Sequence, residues 1–191
     1  MLQYVPAVVG RALRNVRAGA QKLAVQQASP APLSDILTLE VSSPAFEDGE
    51  RLPARYTADG RGVSPPLQWS GVPAEAASLL LIVEDPDSPT LRPMVHAIAW
   101  GLKSGRTQLP EGALSAPHGR TQVGRNSLFG TGYTPPDPPP GHGPHRYEFE
   151  LFALDNDPPL GETPGRSQVL SALKGHVLAR GVLTGIYERT A

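Results

Sequence analysis

The 191-residue chain has no cysteine. Disulfides and thiolate metal centres are therefore excluded. No stretch approaches the roughly 18 consecutive apolar residues that a membrane-spanning helix needs. Charge of one sign is not in excess: 17 basic and 18 acidic residues leave a formal net charge of −1. The molecule as a whole thus offers no field for nucleic acid. There is no Gly-x-Ser-x-Gly elbow, so an esterase-type nucleophile is not indicated. Gly60-Arg61-Gly62 lacks the strand–turn–helix setting of a nucleotide loop. Acidic residues are absent from positions 1–34, which carry Arg11, Arg14, Arg17 and Lys22.

Proline is abundant: 22 residues, with 20 glycines beside them. The usual proline share is about 5%. Many turns and few long helices are expected, because proline breaks helix interiors. Apolar residues make up 39% and charged residues 18%, a globular balance. The length suits a single β-rich domain at 35–191 preceded by an extension at 1–34.

In the extension, Leu2, Val5, Val9, Ala12, Leu13, Val16, Ala20 and Leu23 recur at helical spacing. Most basic residues fall on the other side, and Pro6 suits a first helical turn. The pattern predicts an amphipathic helix over about 7–26, then a Ser-Pro-Ala-Pro linker at 29–32. Such a helix could lie on an anionic membrane, serve in targeting, dock on a second subunit or pack on its own domain. The last two are favoured, and a homodimer closed through the helix is one expectation. The arginines interrupt any secretory apolar core, and a cytoplasmic location follows by default.

Beyond Asp35 the pattern becomes strand-like: 36–41, a continuous apolar run at 78–83, 95–100, an alternating stretch at 147–154 and a short strand at 185–188. Ser167 can cap a helix reaching Leu178. Loops rather than helices separate the strands, so an antiparallel sandwich is favoured over a parallel sheet.

Four segments carry polar chemistry. Glu84-Asp85-Pro86-Asp87-Ser88-Pro89 follows the apolar run directly and reads either as a plain turn or as two stiffly held acids at a strand end. His96 sits inside an apolar strand; a neighbouring carboxylate would fix its tautomer and raise its basicity. Gly132 to Tyr147 is an extended proline loop that leads through Pro138, Pro139, His142 and His145-Arg146 into the next strand. Its Pro-x-x-Pro match at 135–138 is embedded between strands and is a weak SH3-type ligand. His142 and His145 lack a third ligand at metal spacing. The fourth segment is Asp59-Gly60 through Ser64-Pro65-Pro66-Leu67-Gln68-Trp69.

In this order the segments resemble the phosphatidylethanolamine-binding protein (PEBP) family, particularly its bacterial Raf-kinase-inhibitor-like branch, over about 37–190. The carriers are Ala58-Asp59-Gly60, Ser64 to Trp69, Asp85-Pro86-Asp87-Ser88-Pro89, His96, and Gly132-Tyr133 through Pro138-Pro139 to Gly143-Pro144-His145-Arg146-Tyr147. The resemblance implies a mostly β, PEBP-like antiparallel sandwich with C-terminal helical structure and a small cavity for phosphate- or phosphoethanolamine-like anions. It implies that Asp85, His96, His145 and Tyr147 line the pocket and that Asp87, Pro138 and Pro139 frame it. Arg146, Pro86 and Tyr133 would support it. Departures are Met94-Val95 in place of an aromatic residue, Gly101 near a usual Asn, Ala58 for a usual Cys, and Asp137 for a small residue.

Two imidazoles and loop N–H groups can donate to an anion, and Asp85 can hold a ring or accept from an ammonium. Three functions follow as expectations: a regulatory module that binds a small anion; an inhibitor or modulator of a kinase or protease acting through loops 134–140; or a weak hydrolase using an Asp–His pair. The first is preferred, with no catalytic role, cofactor, metal or nucleic acid, and with a protein partner that no residue specifies.

Overall fold

The computed structural model describes residues 4–28, 36–115 and 121–189; the linker expected at 29–32 lies outside them. Among the described residues ten strands form two sheets. The large sheet contains β1 (Leu37–Thr38), β3 (Glu50–Arg51), β5 (Ser78–Asp85), β6 (Met94–Lys103), β8 (Gln122–Val123), β9 (His145–Leu154) and β10 (Val177–Tyr187). Its order is β1-β10-β9-β5-β6-β8, with β3 also on β10. The small sheet is β2 (Glu40–Ser42), β4 (Leu67–Ser70) and β7 (Gln108–Leu109), ordered β2-β4-β7. All pairings are antiparallel except those of β1 and β3 with β10. The mostly β sandwich read from the sequence is the observed one.

Burial explains why β5 reads as unbroken apolar sequence. Its alternate residues serve two cores. Leu79, Leu81 and Val83 pack with Leu67 and Trp69 of the small sheet and with Phe149 and Leu151 of β9. Leu80 and Ile82 face the other way, with Ile98, Phe152 and Leu154. A strand covered on both faces shows no polar alternation.

That second face is covered by α3 (Arg166–Leu173), through Val169 and Leu173, and by the N-terminal segment, through Leu23, Ala24, Val25 and Ala28. The single helix expected at 7–26 is instead α1 (Ala7–Leu13), a 3-10 turn at Ala20–Lys22 and the one-turn α2 (Ala24–Gln27). Gly19, at φ 100°, breaks the helical path, and its N–H is donated to the Pro86 carbonyl. The expected apolar stripe is split accordingly. Leu23 is buried, whereas Val9, Leu13 and Val16 stay exposed. Helix α1 touches the domain through Gly10, where a side chain would come within 2.0 Å of the Pro140 carbonyl oxygen.

Other boundaries moved as well. The last strand has eleven residues rather than four, because β9 pairs along nearly all of it. The C-terminal helix starts at Arg166, with Gly165 rather than Ser167 as its cap. Among the described residues no helix is long and apolar enough to cross a membrane.

Candidate functional site

Asp85 ends β5, His96 lies in β6, and His145 and Tyr147 open β9, so three adjacent strands deliver four polar side chains to one end of the large sheet. The β5–β6 register shifts between Val83 and Glu84, directly across from His96. Such a bulge re-aims the side chains beside it. These residues line a cavity of about 430 Å³ together with Pro138, Pro139, Thr134, Ala58, Met94 and Leu128.

Three clamps hold the site. The Asp-Pro-Asp loop is fixed first. Asp85 Oδ1 accepts the Asp87 backbone N–H at 2.8 Å, and the Ser88 hydroxyl donates to the Asp85 carbonyl at 3.0 Å. Asp87 accepts from the Arg146 backbone N–H (2.9 Å) and from two guanidinium nitrogens (2.8 and 2.9 Å). Arg17 adds a 2.8 Å ion pair. Burial opposes ionisation of Asp87, but these donors outweigh it and hold its carboxyl at about 2.

The second clamp is on His96. Its Nδ1 donates to the Thr134 carbonyl at 2.7 Å, and the Thr134 N–H donates back to the His96 carbonyl at 2.8 Å. The carbonyl has no proton to give, so Nδ1 carries one. The ring is buried, which lowers its pKa despite nearby Asp85. Neutral His96 therefore keeps its lone pair on Nε2, an atom with no partner. Tyr147 meets this ring edge-on at 5.0 Å, and burial pushes its hydroxyl well above the ordinary range.

The third clamp is Arg189. It pairs with Asp59 at 2.6 Å and with Asp137, and it donates to the Pro138 carbonyl at 3.1 Å. Tyr187 adds a 2.8 Å bond to Asp59. Asp59 of the Asp-Gly motif thus anchors the proline rim. Asp137, which stands where the resemblance has a small residue, is paired with a cation.

Two expectations change in the structure. Asp87, expected to frame the pocket, is not among the residues that line it; its oxygens are turned to Arg146 and Arg17. His145 lines it, but both ring nitrogens are engaged. Nδ1 lies 2.7 Å from Asp85 Oδ2 and Nε2 lies 2.7 Å from His142 Nδ1. His145 therefore has no free N–H for a ligand, and His96 and Tyr147 carry the free polar atoms. His142, considered only as half of a weak metal pair, is fully buried beside His145. Among the described residues no cluster could hold a metal ion. Arg146 braces the Asp-Pro-Asp loop, and the Tyr133 hydroxyl is tied to the Tyr56 carbonyl at 2.9 Å. Pro86 forms part of the turn, and its carbonyl receives the Gly19 N–H. Arg189 was missed because no motif marks it; only the fold returns the C-terminus to the rim.

The fold and its pocket define a β-sandwich with a cavity at the end of its large sheet, apolar over most of its wall and carrying a few polar groups. The phosphatidylethanolamine-binding protein family model matches residues 42–188. The chain is 42% identical over 154 residues to a UPF0098 protein of Methanothermobacter thermautotrophicus, covering 79% of this chain and 99% of that one. A PEBP homologue from Chlamydia trachomatis superposes with a TM-score of 0.72 at 38% identity, over 80% of this chain and 98% of that one. The E. coli protein YbcL gives 0.72 at 29% identity, over 78% and 98%. The chain belongs to the phosphatidylethanolamine-binding protein family. Residues 4–28 lie before the matched segment.

Proposed function

We propose that the protein is a non-enzymatic binder of a small phosphate-class anion, either phosphate itself or a phosphomonoester head group such as phosphoethanolamine. One observation carries the reading: His96 Nε2 is buried, unpartnered and on a residue that lines the cavity. A buried polar atom without a partner is costly, and a ligand that supplies the missing hydrogen bond recovers that cost. The lone pair on Nε2 asks for a proton. It suits a monoprotonated phosphate, or a phosphate that arrives with a proton for the ring. The Tyr147 hydroxyl is available to donate to the same anion.

Binding rather than turnover is supported by the state of the cavity's nucleophiles. The Ser88 hydroxyl is engaged with the Asp85 carbonyl and with Thr90, and the Asp85–His145 pair is closed on itself and on His142. A regulatory role, in which a protein partner reads occupancy at loop 134–140, extends the same proposal. The exposed Val9, Leu13 and Val16 support a homodimer closed through α1, which sedimentation of Val9→Asp and Leu13→Asp reads directly.

The test is calorimetry with phosphate and phosphoethanolamine on wild type and His96→Ala. Saturable binding that His96→Ala removes is expected. Affinity should fall as pH rises past the second phosphate ionisation, about 6 for a phosphomonoester. Absence of binding by wild type, or equal binding by the variant, overturns the reading.

A further inference from the structure

A line of hydrogen bonds runs from the cavity to the N-terminal segment. Asp85 Oδ2 is 2.7 Å from His145 Nδ1, His145 Nε2 is 2.7 Å from His142 Nδ1, and His142 Nε2 is 3.3 Å from the Val16 carbonyl oxygen. The two ends of the line fix its protons. The Val16 carbonyl can only accept, so His142 Nε2 must donate. Burial, with the Arg17 guanidinium close by, lowers the pKa of His142 and disfavours a charge on its ring, so its Nδ1 is a lone pair. His145 Nε2 must then donate to it. Asp85 accepts from the other nitrogen, so His145 carries both protons.

We propose that the N-terminal segment is a working part of the pocket: through His142 it holds His145 as an imidazolium, which balances Asp85 and leaves the cavity able to accept an anion. Without the Val16 carbonyl, His142 can turn its proton toward His145, and neutral His145 then suffices to complete the line. Asp85 is left as an uncompensated charge beside the ligand. The other charged groups near the line are paired elsewhere: Asp87 with Arg146 and Arg17, and Asp59 and Asp137 with the shared Arg189.

The segment is built to hold this position. Arg17 donates to the Pro144 carbonyl at 3.0 Å and pairs with Asp87 at 2.8 Å. The Ala18 and Gly19 N–H groups bond to the Ser88 and Pro86 carbonyls, both at 2.9 Å. Gly141 and Gly143, at φ 79° and 99°, turn the chain on either side of His142 so that its ring points inward. Because the segment precedes the family match, this control belongs to the extension and not to the shared domain.

The inference rests on the anion-binding reading only for its effect on affinity; protonation is read on the empty protein. Nitrogen NMR of the full chain at neutral pH should show N–H at both His145 nitrogens and only at Nε2 of His142. His142→Phe removes the acceptor. Gly10→Val, away from the cavity, drives α1 off the Pro140 loop. Both should leave His145 with one N–H and weaken phosphate binding at least tenfold, whereas His142→Gln, which keeps an acceptor, should retain the imidazolium. Circular dichroism verifies folding of each variant. A neutral His145 in wild type, or an imidazolium retained in both His142→Phe and Gly10→Val, overturns the proposal. Failure of wild type to bind phosphate would overturn the functional reading and leave the NMR result to decide this one.

Discussion

The backbone N–H of Val25 donates to a carboxyl oxygen of Glu150, a fully buried acid in the middle of the large sheet. Next to it, the Ala24 N–H donates to Glu84 at 2.7 Å, and Arg166 pairs with Glu84 at 2.5 Å. Two core acids thus receive the first turn of α2, so the N-terminal segment completes the second core.

This arrangement makes stability pH-dependent. Burial, reinforced by Glu84, pushes the Glu150 carboxyl well above its ordinary range. A raised carboxyl binds its proton more tightly in the folded state, so stability is greatest below about 4.3 and falls as pH rises through the folded value. One linked proton changes stability by up to about 1.4 kcal/mol per pH unit. Glu150→Gln should flatten denaturant-derived stability between pH 5 and 8 within that limit.

Asp87 has the opposite sign. Its carboxyl sits at about 2 in the folded protein, so the stability it adds is present above its unfolded value and is lost as pH falls toward 2. Asp87→Asn should cost about 2 kcal/mol at neutral pH, as losing charge-assisted hydrogen bonds to a buried carboxylate does. It should also shift acid unfolding to a shallower curve between pH 4 and 2, read by circular dichroism.

Arg189→Met removes the shared cation from Asp59 and Asp137 and the donor to the Pro138 carbonyl. A loss of about 3 kcal/mol is expected, with weaker phosphate binding because the proline rim loses its tether. Urea melts and calorimetry measure the two effects separately.

Tyr133→Phe leaves the Tyr56 carbonyl without its donor. A loss of about 1 kcal/mol is expected from one buried hydrogen bond, with no effect on His96 protonation by NMR.

The sequence by itself determined the sandwich, because unbroken apolar stretches and alternating ones between proline and glycine turns leave little else for strands such as 78–83 and 147–154 to do. It also marked the acids and histidines that meet at the cavity, through motifs whose spacing survives folding. Tertiary structure decided what each polar atom does. Asp87 and His145 stand among site residues in the chain, yet their partners, Arg17, Arg146 and His142, occupy the atoms a ligand would use. The helix of 7–26 has a valid periodicity, but the carbonyls of Pro86 and Ser88 and the acids Glu84 and Glu150 compete for its backbone. Hydrogen bonds between positions 60 to 130 residues apart are set by strand order and register, which local pattern does not encode.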